Sequence, residues 1–483
     1  MLSLLIFIPL IGALAVLLVS RASSRWVALL TSALALAVSS VLLLRFDPAA
    51  GSYQFVESLS WIPQFGIAYK VGVDGISVWL VLLTTLIFLL VIWASADAIH
   101  ERQKEYYVLM LLMETATLGV FLALDMFLFY VFWEFALVPM YFIIGVWGGP
   151  RRVYAAVKFF IYTMAASVLM LIAIVVLGVN AGSFDLEIVR QKGSAFAGSV
   201  LLFLAFAIAF AVKVPIVPFH TWLPDAHVEA PTPGSVVLAA VLLKMGSYGL
   251  IRYNLQLFPQ LSQAFAPLMI ALAIVGILYG AAVAFAQSDA KKLIAYSSVS
   301  HMGYIVLGIF ALNALGVQGA LLQMVNHGLS TGGLFLIIGF LYERRHTRDM
   351  GKFGGLWARM PLYGTLALML VLASVGLPAL NGFVGEFVIL QGAFQSNPWA
   401  AGFAAVGMVL SAVYLLTFFQ KTFLGESRDP ANDALSDLRW QEVLSVAPLI
   451  VLCFVIGLQA APFFGLMEQS VAALLSGGGL ALR

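Results

Sequence analysis

What most restricts this chain is the recurrence, from end to end, of apolar runs long enough to cross a bilayer. LSLLIFIPLIGALAVLLV stands at the start, and runs of similar length follow at short intervals. About 20 consecutive apolar residues span a ~30 Å hydrocarbon core. Inside that core every backbone N–H and C=O must be bonded within the protein, which leaves helices or a closed barrel. These runs are continuously apolar rather than alternating, so a barrel is excluded. Composition agrees: the 483 residues are 62% hydrophobic and 10% charged, too few charges to cover a soluble surface. The chain reads as an all-α polytopic membrane protein, a single integral membrane domain over residues 1–483. The first run has no basic segment before it and no small-residue cleavage site after it. It is expected to be a transmembrane helix, not a signal peptide.

Fourteen spans are expected, at roughly 2–20, 25–45, 73–95, 105–123, 125–147, 153–179, 197–222, 232–254, 265–287, 291–312, 315–342, 361–393, 398–422 and 444–468. The longest gaps between them are 46–72 and 423–443, so no soluble domain fits. Of the 25 Lys and Arg, 16 fall in loops after odd-numbered spans, including Arg151, Arg152, Lys291, Lys292, Arg344, Arg345 and Arg348. Only Arg45, Lys70, Arg190, Lys192, Arg252 and Arg483 fall on the other side. Basic loops stay in the cytoplasm. Both termini are therefore expected outside it, in a multi-pass membrane protein. The net charge of +2 gives no argument for a nucleic-acid partner. The single cysteine, Cys453, cannot hold an iron–sulfur cluster or a cysteine-based zinc site.

Three cations, Lys158, Lys213 and Lys244, fall inside spans, as do Glu114, Glu134 and Glu386. A charge at the bilayer centre costs roughly 2.5–3.5 kcal/mol or more, and such a residue is by default a candidate for function. Glu114 and Glu134 each lie about ten residues, or about 15 Å of helix, from the turn at 124–125, which puts both near the midplane. Lys213 and Lys244 share a depth by the same arithmetic, and His301 lies about ten residues into its span. Ionisable groups at one depth in several helices suggest a protonatable row in the membrane plane.

Two spans are broken at that depth. In KVPIVPFHTWLP, Pro215 and Pro218 remove backbone donors just after Lys213. In SVGLPALNGFVGEFVIL, Gly376, Pro378, Gly382 and Gly385 surround Glu386. Interrupted helices at midplane line polar cavities and ion sites. The seventh and twelfth spans are thus the broken helices. Their separation of about 165 residues suggests two five-helix repeats, 105–254 and 265–422, inverted because the offset is an odd number of spans.

At these residues the chain resembles the antiporter-like subunits of respiratory complex I, the proton-pumping NADH:quinone oxidoreductase. The stretches that carry the likeness are LFYVFWEFALVPMYFIIGVWGG, KVPIVPFHTWLPDAHVEAPTPGSVVLAAVLLKMG, SDAKKLIAYSSVSHMGY and GLPALNGFVGEF. Among these subunits it is most similar to the M-type, because Glu386 stands where L- and N-type subunits usually carry lysine. Subunits of Mrp-type sodium/proton antiporters and membrane-bound hydrogenases share much of the pattern.

The resemblance implies proton transfer driven by electron transfer in other subunits. FMN, iron–sulfur clusters and quinone would then sit in partners, with no cofactor in this chain and with L- and N-type subunits as neighbours. It implies Lys213 as the main switchable carrier, with Glu134 as its carboxylate. Burial favours a neutral lysine and a nearby carboxylate a charged one. Lys244 and His301 would relay towards Glu386, and His titrates nearest neutrality. His220, His227 and His327, with Glu114, form a secondary polar axis. Lys158 belongs there too unless it only snorkels. His220 and His227 are seven residues apart, the wrong spacing for a helical metal pair, so no metal is expected. Asp74 is read as a helix cap. A stand-alone antiporter, a hydrogenase-linked pump and a structural scaffold are the competing readings.

Overall fold

The structure, a computed structural model, describes residues 1–96, 98–192 and 198–477. Residue 197, the expected start of the seventh span, and Arg483 lie outside them. The elements run α1 (Leu2–Leu18), α2 (Arg21–Leu44), β1 (Gln54–Ile62), β2 (Ile67–Val73), α3 (Val78–Ala94), α4 (Gln103–Leu122), α5 (Met126–Trp147), α6 (Arg152–Ala181) and α7 (Leu186–Lys192). After α8 (Val200–Lys213) and α9 (Trp222–Glu229) comes α10 (Thr232–Leu255), which contains two π-helical turns. Then follow α11 (Pro259–Phe285), α12 (Ala290–Phe310), α13 (Ala314–Arg345), α14 (Pro361–Val375), α15 (Asn381–Ser396), α16 (Pro398–Phe423), α17 (Trp440–Leu458) and α18 (Ala461–Gly477). Among the described residues ten helices are long and apolar enough to cross a membrane, and α1, α3, α8 and α14 are shorter apolar helices.

Burial sorts the helices into centre and rim. α10 and α13 are buried throughout their apolar middle, whereas α2, α6 and α16 keep most of their apolar surface outward. Helices that are apolar all round and bare on one side face lipid; the wholly enclosed ones are free to carry polar groups.

Both expected breaks are present. α8 stops at Lys213, and the Pro215 and Pro218 positions leave carbonyls without backbone donors. Trp222 answers one of them by donating its indole N–H to Val212 O at 2.8 Å. In the twelfth span Gly376 adopts φ +83°, a left-handed conformation that glycine tolerates best, and α14 ends there before α15 starts at Asn381.

The hairpin of β1 and β2 lies in the gap read as a loop, and no apolar run marks it. Asp125 secures it: one carboxylate oxygen accepts from Phe127 N (2.9 Å) and Leu128 N (3.0 Å), capping α5, and the other accepts from Ala68 N at 3.0 Å. Asp125 also bridges Asp185, which pairs with Lys70. On the opposite, basic face, Asp289 caps α12 by accepting from Lys291 N (2.8 Å) and Lys292 N (3.0 Å), bridges Asp349, and pairs with Arg348 at 3.2 Å. Asp289 follows Asp125 by 164 residues, as Asp349 follows Asp185.

Several expectations need correction. Asp74 precedes α3 rather than opening it. It accepts from Ile76 N (3.1 Å) and Ser77 N (3.2 Å), as a cap would, but its main partner is Arg252. Arg252, counted among loop cations, is a buried part of α10 held between Tyr53 and Tyr248, and Lys291 is likewise buried within α12. Burial pushes the Tyr53 phenol up to about 12 against the pull of Arg252, so it stays neutral beside the guanidinium. The last expected span is two helices, α17 and α18. Arg252→Met strands a buried carboxylate and is expected to cost about 3–5 kcal/mol. Thermal melting of the purified assembly checks this; an unchanged midpoint would mean the pair contributes nothing.

Candidate functional site

Lys213 ends α8 with its side chain fully enclosed, and its Nζ has no hydrogen-bond partner among the described residues. It lies 5.5 Å from the ring centres of both Trp133 and Phe159. Aromatic faces at that range hold a cation without trapping it in an ion pair. Glu134, beside Trp133 on α5, keeps Oε1 buried and without a partner among the described residues, while Tyr130 and Ser167 hydrogen-bond its carboxylate. The expected Glu134–Lys213 pair is therefore not in contact. The two charges act on each other across a gap. Glu114, on α4, accepts from Ser32 Oγ at 2.7 Å, and its second oxygen has no partner among the described residues.

The second group is hydrogen-bonded at each end and closely spaced in the middle. Lys244, in the middle of α10, bonds Ala239 O and reaches His327 Nδ1 at 2.6 Å. The His327 and His301 ring centres are 5.9 Å apart. His301 Nδ1 pairs with Glu386 Oε1 at 2.9 Å, and Gln323 Nε2 donates to the same oxygen at 3.1 Å. Tyr414 OH lies 3.4 Å from His301 Nε2 and bonds Ser297 Oγ at 2.8 Å. Lys244, His327, His301 and Glu386 thus form a row from α10 through α13 and α12 to α15. An imidazole accepts at one nitrogen and donates at the other, so each end of the row can pass a proton. The step between the two histidines is not hydrogen-bonded: His327 Nε2 has no partner among the described residues, and His301 Nε2 faces Tyr414.

The remaining residues are peripheral to this row. His220 is buried, edge-on to Tyr279 and Tyr296, with Nδ1 unpartnered among the described residues. His227 is fully buried and stacked on Phe335. Lys158 is partly buried and paired. Its Nζ meets Asp225 Oδ2 at 2.7 Å, and Arg151 joins Asp225 (3.5 Å) and Glu229 (3.7 Å). This locks the start of α6 to the helix after the break. Asp225, Gln323 and Tyr414 went unremarked in the sequence. Asp225 carried a signal, an acid directly after Pro224 in HTWLPDAHVE, whereas Gln323 and Tyr414 are ordinary residues whose partners come from distant helices. Among the described residues no three His, Cys, Asp or Glu converge as a metal site.

Comparison with known proteins places this geometry. The family described as NADH:quinone oxidoreductase/Mrp antiporter, TM, matches residues 123–411. NADH-quinone oxidoreductase subunit M of Rhodobacter capsulatus is 46% identical over 98% of this chain and 96% of its own length. NADH-ubiquinone oxidoreductase chain 4 of Marchantia polymorpha is 40% identical over 98% and 97%. A chain of the solved respiratory complex I from Thermus thermophilus with bound NADH superimposes with a TM-score of 0.90, at 34% identity and 100% coverage of both chains.

Proposed function

Because the chain belongs to the NADH:quinone oxidoreductase/Mrp antiporter transmembrane family, we propose that it works as the M-type proton-translocating membrane subunit of NADH:quinone oxidoreductase. Protons move through its buried Glu, Lys and His residues, and electron transfer in other subunits drives them. Flavin, iron–sulfur clusters and quinone belong to those partners, and the chain itself carries out no redox step. The observation that carries this reading is the buried row Lys244–His327–His301–Glu386. A scaffold has no reason to enclose four titratable groups in one row, since each costs desolvation. Glu134 and Lys213, close enough to interact but not paired, supply the switchable element: closing the gap favours the ammonium and opening it favours the free amine. The breaks beside Lys213 and Glu386 and the paired Asp125/Asp185 and Asp289/Asp349 bridges support two inverted repeats over 105–254 and 265–422.

The chain sits in the bacterial inner membrane with L- and N-type neighbours. Its basic face is cytoplasmic and both termini lie on the other side. Relatives 46% identical over nearly the whole chain favour this assembly over an Mrp or hydrogenase one. Affinity capture of the chain from mild detergent is expected to bring flavin- and iron–sulfur-bearing subunits that oxidise NADH. Capture of hydrogenase subunits, or of small membrane partners alone, would replace the driver. A membrane-impermeant thiol reagent should reach Trp61→Cys on the hairpin from outside the cell. Reaction only from the cytoplasm would reverse the orientation.

A further inference from the structure

The proton-carrying residues leave one charged cluster on the basic face unused. Arg21 and Arg25 open α2, and Arg102 and Lys104 stand where α4 begins. Polar contacts gather the two helix ends. Arg21 Nε donates to Gln103 Oε1 at 3.3 Å, and its Nη2 donates to His100 O. Lys104 Nζ donates to Leu17 O at 2.9 Å, tying the start of α4 to the turn between α1 and α2. Among the described residues none of the four cations meets a carboxylate, although Glu101 and Glu105 stand exposed in the same stretch. Arg151, Arg344, Arg345, Arg348 and Arg359, on the same face, each meet one. Cations crowded where the helix dipole is already positive repel one another unless an anion joins them.

Arg25 is the most firmly held of the four. Its guanidinium carbon lies 5.5 Å from the Trp26 ring centre and 5.3 Å from that of Trp93. Its Nη2 donates to Trp93 O at 3.3 Å, while its Nε is buried with no partner among the described residues. Trp93 is itself fixed: its indole N–H donates to Gln441 O at 3.0 Å, and its ring packs against Trp440 with centres 5.8 Å apart. Tryptophans concentrate at the level of the lipid headgroups. A guanidinium held there presents its planar fork to phosphate oxygens.

From Arg25 inward, α2 presents an apolar stripe. Trp26, Leu30 and Leu34 are 61%, 64% and 50% exposed. Steps of four residues keep them on one face. The stripe is about 12 Å long at 1.5 Å per residue, most of the ~15 Å of hydrocarbon in one leaflet. Cations at the headgroup level with an apolar stripe running inward from them complement a lipid that carries a negative headgroup.

We propose that Arg21, Arg25 and Lys104 seat the phosphate of an anionic phospholipid in the leaflet on the basic face, with an acyl chain along Trp26, Leu30 and Leu34. Such a lipid supplies the missing counter-charge. A zwitterionic lipid brings its own ammonium group into the cluster and cancels that gain. None of these residues belongs to the proton-carrying row, so the seat fixes the corner formed by α1, α2 and α4 rather than a step of proton transfer.

The test uses the assembled complex in phosphatidylcholine vesicles that contain a trace of phosphatidylglycerol with a photoreactive acyl chain. Phosphatidylcholine with the same photoreactive chain is the reference, and mass spectrometry locates the cross-links after illumination. Labelling within residues 26–34 is expected to be roughly tenfold stronger from phosphatidylglycerol, the effect of one to two basic residues on an anionic lipid. Arg25→Gln with Lys104→Gln is expected to bring the ratio close to one. Millimolar inorganic phosphate should leave the wild-type labelling unchanged; if it competes, the cluster takes a soluble anion and the lipid proposal fails. Equal labelling by the two lipids in the wild type overturns the proposal, as does a preference that persists in the double variant. Absence of labelling by either lipid means that a neighbouring subunit covers this face, which overturns it too. If the double variant does not assemble, the comparison of the two lipids in the wild type decides alone.

Discussion

Lys213→Ala in the assembled complex is expected to lower NADH-driven proton uptake by roughly a hundredfold or more, as loss of a positioned proton carrier does. The side chain is enclosed, it has no hydrogen-bond partner among the described residues, and it sits at the end of a helix broken by two prolines. A structural lysine would be paired, and this one is held by two ring faces. Lys213→Arg is the sharper variant, because it keeps the charge and the ring contacts but cannot deprotonate in a protein. It should assemble and fail to pump, and Glu134→Gln should fail for the complementary reason. Dye-quenching assays of proton uptake, set against the rate of NADH oxidation, decide the matter. If Lys213→Ala and Glu134→Gln both keep the wild-type ratio of protons to electrons, these residues are not the carriers.

Glu386 separates structural from proton-carrying roles within one side chain. Its Oε1 pairs with His301 Nδ1 and accepts from Gln323 Nε2. Glu386→Gln keeps the volume and an acceptor oxygen, so folding and assembly should survive while uptake falls by roughly a hundredfold. Glu386→Ala removes the acceptor too. It strands His301 and Gln323 in a buried site at about 1–3 kcal/mol each, so the yield of assembled complex should fall as well. Pumping at the wild-type ratio in the Gln variant would show that the second half passes protons without this carboxylate.

Much of this was legible because it depends on local properties of the chain. Continuous apolar runs dictate spanning helices wherever they occur. Pro215, Pro218 and Gly376 break helices by their own stereochemistry. Counting residues from a turn gives a common depth for Glu114 and Glu134, another for Lys213 and Lys244, and places His301 mid-span. Depth, however, leaves open which neighbour each side chain meets. That Lys244 touches His327, that His301 touches Glu386, and that Lys158 turns to Asp225 depend on which helix faces pack together across dozens of residues of intervening chain. The same holds for Arg252. Its sequence position suits a loop cation, and only Asp74, 178 residues earlier, makes its burial tolerable. The hairpin is not marked in the sequence because its strands are mixed in polarity and held from outside, by Asp125 and Asp185. The apolar pattern by itself determined that the chain spans the membrane, where it breaks and how deep its charges lie. Only the tertiary structure decided which charges join into a row and which stay apart, because contact between helices depends on the angle each presents to its neighbour, and hydrophobic length says nothing about that angle.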